Sequence, residues 1–131
     1  MNSINYNSEM IQNFKEDGYF VYNNIFNSDE LKEIKDQLEL YIDEEVPEMP
    51  ENQVYYDQKN QKESLKQIQK MFEYNTFFND LIHGRIYELA GMLLDENPRV
   101  INLQYFNKSP KYSKPTPPHQ DGFYFKIKPI K

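Results

Sequence analysis

Cysteine is absent from the 131 residues. Without thiols the chain can have neither a disulfide framework nor a thiolate metal site, so any metal would be held by nitrogen and oxygen donors. Histidine is nearly as scarce, and imidazole chemistry is confined to His83 and His119. Long apolar runs are missing too. Nothing approaches the ~20 consecutive apolar residues of a membrane-spanning helix, and Met1-Asn2-Ser3-Ile4-Asn5-Tyr6 has neither the basic segment nor the apolar core of a secretory signal. No membrane association and a cytoplasmic location are the resulting expectations. A mean hydropathy of −0.90 with 38% hydrophobic residues leaves limited apolar material, enough for one small domain.

Basic residues are few before position 108 and acidic ones few after it. Residues 1–107 hold 9 basic against 20 acidic side chains, whereas 108–131 hold six lysines against Asp121 alone. The acidic part speaks against nucleic acid as a partner. The basic part surrounds Asp121, where a positive potential would attract a small anion. The plainer reading is that Lys111 and Lys114 solvate a loop and that Lys126 and Lys128 solvate the outer face of a strand.

What stands inside that basic segment is Pro117-Pro118-His119-Gln120-Asp121-Gly122-Phe123-Tyr124-Phe125. Two prolines stiffen the approach and suit the entry to a strand. Side chains at i and i+2 of a strand share a face, so His119 and Asp121 can converge on one ion while Gln120 points away. In the same register Phe123 and Phe125 would line the metal face, with Tyr124, Lys126 and Lys128 behind. Neutral imidazole plus carboxylate is two-thirds of the two-histidine, one-carboxylate set that binds nonheme iron(II) and leaves positions open. As a bare pattern His-x-Asp is weak, and a loop histidine beside a turn aspartate explains it equally.

Upstream, the chain reads as helices separated by turns. Ser8 caps a short helix to Lys15, which Gly18 ends, and Tyr19 to Tyr22 suits a short strand. Ser28 with Asp29 and Glu30 starts a second helix, whose apolar stripe is Leu31, Ile34, Leu38, Tyr41 and Ile42 and which stops before Pro47. Val46 to Gln61 reads as a long surface loop from which Tyr55 and Tyr56 could cover a ligand. Leu65 to Phe72 reads equally as strand or helix. Thr76 caps a further helix, and Ile86, Leu89, Ala90, Leu93 and Leu94 form a second stripe that ends by Pro98. His83 sits beside Gly84 as a helix-end residue. Arg99 to Asn107 alternates as a strand, with Val100, Asn102, Gln104 and Phe106 on one face.

Two stretches resemble the phytanoyl-CoA dioxygenase (PhyH) family. Phe14-Lys15-Glu16-Asp17-Gly18-Tyr19-Phe20-Val21 looks like its opening helix, turn and strand, and Asn102-Leu103-Gln104-Tyr105-Phe106-Asn107-Lys108-Ser109-Pro110 followed by the His-x-Asp run looks like the approach to its metal site. The resemblance implies an α+β fold: a mainly helical portion, residues 1–98, then from residue 99 the first strands of a double-stranded β-helix, a jelly roll of the cupin kind. It also implies an iron(II)- and 2-oxoglutarate-dependent dioxygenase that uses oxygen to hydroxylate a small-molecule substrate. His119 and Asp121 would be metal ligands and Gln104 would lean over the co-substrate. The family's co-substrate lysine falls on Lys66 or Lys70. Halogenases related to the family replace the carboxylate with a small residue, so Asp121 favours hydroxylation.

Eight jelly-roll strands need on the order of 90 residues, and 33 follow Pro98. No histidine or arginine follows Asp121, so the family's distal histidine and the arginine that grips 2-oxoglutarate are without a counterpart here. The expectation is a truncated partial domain, completed by a downstream-encoded polypeptide or else serving as a non-catalytic, metal- or partner-binding product. A helical interaction module with an incidental His-x-Asp is the remaining reading.

Overall fold

Among the described residues, three of the five helices start from an asparagine. In the computed structural model, which describes residues 7–59 and 61–122, Asn7, Asn27 and Asn75 each take extended backbone just before a serine or threonine. Their Oδ1 atoms accept from the amides of Met10, Glu30 and Phe77, each at 2.9 Å. The expected caps Ser8, Ser28 and Thr76 are therefore the first helical residues. Asparagine caps at least as well as serine and better than threonine, so where the two are adjacent the helix gains a residue by starting from the asparagine. At Asn27 the exchange is reciprocal, because the Glu30 carboxylate accepts from the Asn27 amide at 2.8 Å.

The helices are α1 (Ser8–Asp17), α2 (Ser28–Glu44), the single turn α3 (Met71–Tyr74), α4 (Thr76–His83) and α5 (Arg85–Leu94), and α3 and α5 begin after Lys70 and Gly84 without a side-chain cap. Gly18 ends α1 with φ of 77° and donates its amide to Phe14 O at 2.9 Å, a left-handed cap that suits glycine. The start of α2 is tied to that of α5 by Arg85, whose guanidinium bonds the Glu30 carboxylate at 2.5 Å and lies 4.9 Å over the Phe26 ring. No helix among the described residues is long and apolar enough to cross a membrane.

The strands β1 (Val54–Tyr56), β2 (Leu65–Ile68) and β3 (Tyr105–Phe106) form one antiparallel sheet in the order β1-β2-β3. Register sorts its two faces. Val54, Ile68 and Tyr105 pair across the sheet and pack on the core, with Ile68 fully buried. Tyr55, Gln67 and Phe106 pair in the adjacent row and point the other way, leaving Tyr55 and Phe106 exposed. Helices plus a small antiparallel sheet make the fold α+β.

The core is small. Tyr41, Val46, Met49, Leu65, Ile68, Met71 and Phe78 are buried, with Leu38, Ile42, Phe77, Leu81 and Leu103 packed around them. The α2 stripe thus serves packing, although its outer end at Leu31 stays exposed. Tyr41 meets Phe78 edge-on at 5.3 Å and donates its hydroxyl to Met49 Sδ at 3.3 Å. Burial, with Glu45 and Tyr74 nearby, pushes its phenol up to about 12. The α5 stripe is only half-buried, and Leu94 is exposed.

Local alternation overreached in two places. Tyr19 to Tyr22 is irregular chain, with Phe20 edge-on to Phe14 and Tyr22 and with Tyr19 and Val21 exposed. Its period of two is real, but a strand also needs pairing with another strand, and the sheet of the described residues, β1-β2-β3, does not include it. Between Arg99 and Asn107 only Tyr105 and Phe106 pair as strand residues. The Val46 to Gln61 segment is less of a loop than expected. Val46–Glu48 forms a 3-10 turn that buries Val46, Met49 follows it into the core, and β1 comes next. Tyr55 and Tyr56 are therefore strand residues rather than lid residues, and they border a cavity of about 660 Å³ against Val46 and Met49. Leu65 to Phe72 is divided between β2 and the start of α3.

Candidate metal site

Past β3 the chain is held to the sheet by side chains. Asn107 donates its amide to Lys66 O at 2.7 Å and its Nδ2 to Leu65 O at 3.2 Å. Ser109 is buried, and its carbonyl accepts from the amides of Tyr112 and Ser113 at 3.2 and 3.0 Å. The Ser113 hydroxyl then donates to Asp57 Oδ2 at 2.5 Å, while Lys66 Nζ lies 3.4 Å from Asp57 Oδ1. Hydrogen bonding by Ser113, reinforced by Lys66, holds the Asp57 carboxyl below its usual range against the opposing effect of burial.

A lowered carboxylate stabilises the fold fully above its unfolded-state value, near pH 4, and loses that contribution as pH falls through the folded value. Wild-type chain should therefore lose thermal stability below about pH 4 more steeply than Asp57→Asn, which has no charge to lose there. Circular dichroism melts from pH 3 to 7 check this, and parallel curves would contradict it.

From Lys114 to Gln120 the chain has no regular secondary structure, and at Asp121 and Gly122 it turns helical. The expected strand is therefore not formed at His119 and Asp121. Three of the five residues from 114 to 118 are proline, which removes the amides a ladder needs. The two side chains converge all the same, with His119 Nε2 at 3.4 Å from Asp121 Oδ1. The other ring nitrogen, Nδ1, lies 2.9 Å from Pro117 O. A carbonyl can only accept, so Nδ1 carries the hydrogen; the carboxylate also only accepts, so a lone pair on Nε2 could serve there only with a cation between the two. Adjacent ligands at ~2.1 Å on one metal stand about 3 Å apart. The pair suits two coordination positions; with the ring protonated it is simply an ion pair. Expectations for Phe123, Tyr124, Phe125, Lys126 and Lys128 lie outside the described residues.

No group of three His, Asp or Glu side chains converges as a metal would require among the described residues. His83 closes α4, with Nδ1 2.9 Å from Asn79 O and its ring between Phe72 and Tyr87 at 6.3 and 5.7 Å. Its place is that of a helix-end residue.

Gln104, just before β3, is exposed, and its Oε1 accepts from Gln67 Nε2 at 2.8 Å and from Asn102 Nδ2 at 3.4 Å. It shares the open side of the sheet with Gln67. Both candidate lysines are paired with carboxylates, Lys66 with Asp57 and Lys70 with Glu73. Lys70 also has φ of 58°, a left-handed conformation rare for a long side chain, and its amide donates to Asn102 Oδ1 at 2.7 Å. Asp57, Gln67 and Ser113 were missed by sequence reasoning. Each lies in an ordinary polar stretch, and its partner is 37 or 56 residues away.

Residues 14–131 match the family described as phytanoyl-CoA dioxygenase (PhyH), and the chain belongs to that family. It is a family of iron(II)- and 2-oxoglutarate-dependent dioxygenases. No curated protein and no solved structure matches the chain.

Proposed function

We propose that the chain carries part of an iron(II)- and 2-oxoglutarate-dependent hydroxylase site, with His119 and Asp121 as ligands. The observation that carries this reading is the orientation of the pair: Nδ1 is tied to Pro117 O, so Nε2 is directed at a carboxylate 3.4 Å away. Bound iron would supply open positions for 2-oxoglutarate and oxygen, and the chemistry that oxidises a substrate C–H bond as 2-oxoglutarate becomes succinate and carbon dioxide.

The protein's own residues hold and orient. The Pro117 carbonyl selects the tautomer of His119, and Asp121 adds the negative charge that retains a divalent cation. Its carboxylate fills a ligand position and so favours hydroxylation. Gln104 has its oxygen engaged by Gln67 and Asn102, which leaves the amide hydrogens as its means of binding a keto-acid. The open sheet face bearing Gln67 and Gln104 suits the inner wall of a jelly roll. A second reading, metal or partner binding without turnover, is favoured by the lack of a third ligand among the described residues.

Manganese(II), as a redox-stable stand-in, should bind weakly to residues 1–131 and more weakly on acidification, because protonated imidazole cannot ligate. His119→Ala and Asp121→Ala should each abolish calorimetrically detectable binding. Tight binding that survives both substitutions would sink the assignment.

A further inference from the structure

We infer that Asp57 is a positioning residue for the His119–Asp121 pair, acting through Ser113; this rests on the ligand assignment proposed above. Asp57 stands directly after β1, where its amide bonds Ser64 O at 2.9 Å and its side chain is 12% exposed. Its two oxygens divide their partners. Oδ1 faces Lys66 on the neighbouring strand, whereas Oδ2 accepts from Ser113, 56 residues away in sequence. A contact used only to close the β1–β2 hairpin would not need the second partner.

Ser113 is the last residue of a segment held at successive points. Asn107 bonds β2, Ser109 is buried beneath the turn, and the Ser113 amide closes that turn. Five residues then lead to His119, and Pro115, Pro117 and Pro118 are three of them. Proline fixes φ and resists compaction, so such an arm behaves as a semi-rigid spacer and carries the placement of its base to its tip. Pro117 also supplies the carbonyl that orients the His119 ring. A hydroxyl–carboxylate bond at the base thereby sets where Nε2 stands.

The test uses the full 131-residue chain with manganese(II), its affinity followed by water-proton relaxation, and ¹⁵N relaxation of Thr116 and Gln120 in metal-free protein. Ser113→Ala removes only the hydroxyl and leaves the backbone turn. It should weaken manganese binding roughly three- to tenfold, at or below the loss typical of groups bonded directly to a ligand, and should raise picosecond–nanosecond mobility at Thr116 and Gln120. Ser113→Thr should restore both, which a loss of general stability would not allow. Asp57→Ala combined with Ser113→Ala should bind no more weakly than the worse single variant, as expected for two ends of one bond. Additive losses, or unchanged affinity and relaxation in Ser113→Ala, would overturn the inference. If wild-type affinity does not depend on His119, the ligand assignment fails. Raised mobility in Ser113→Ala would then still uphold the clamp on the arm, and unchanged mobility would remove that as well.

Discussion

Residues 1–131, supplied with iron(II), ascorbate, oxygen and 2-oxoglutarate, are expected to form no succinate above background. His119 and Asp121 are two donors where the nonheme triad has three. His83 is not a substitute, since its ring is held at the end of α4 between Phe72 and Tyr87. Three cations that could anchor the co-substrate's far carboxylate are already paired: Arg85 with Glu30, Lys66 with Asp57 and Lys70 with Glu73. Breaking any of these pairs to bind 2-oxoglutarate would leave a carboxylate without its partner. Adding or fusing a polypeptide that carries the second imidazole and an arginine should produce turnover that His119→Ala and Asp121→Ala both abolish. Sustained succinate formation by residues 1–131 alone, lost in Asp121→Ala, would show instead that ligands assemble between copies of the chain.

Tyr41→Ala should cost about 3–5 kcal/mol of unfolding free energy, the range for deleting a large buried ring. Tyr41 is 1% exposed and joins α2 to Phe78 of α4 and to Met49 beyond the 3-10 turn. Only seven hydrophobic residues are buried among those described, so the cavity has few neighbours able to close it. Typical domains have about 5–15 kcal/mol in total, which places the alanine variant near the edge of folding. Tyr41→Phe keeps the ring and loses only a hydroxyl–sulfur contact, and should cost about 1 kcal/mol or less. Urea unfolding followed by circular dichroism separates the two by their midpoints at similar slope. Equal losses would place the stabilisation in the hydroxyl rather than in the packed ring.

Helix existence was legible because its causes are local. Leu38, Tyr41 and Ile42 share a face by helical period, Gly18 supplies a left-handed stop, and Glu30 stands where a capping box requires it. Even the displaced starts at Asn7, Asn27 and Asn75 are decided by adjacent residues and could be read with closer attention to cap preference. The chemistry of the candidate ligands was equally plain, since the absence of cysteine and the pairing of His119 with Asp121 two residues apart leave imidazole and carboxylate as the donors. What sequence could not decide was pairing at a distance. Whether an alternating stretch becomes a strand depends on a neighbour that completes its hydrogen bonds, so Tyr105 and Phe106 are in the sheet while Tyr19 to Tyr22 are not. For the same reason Asp57 and Ser113 carry no local sign of each other. Only the tertiary structure brings the carboxylate at the end of β1 to the base of the proline arm, because that contact is made by folding across 56 residues and by no pattern within either segment.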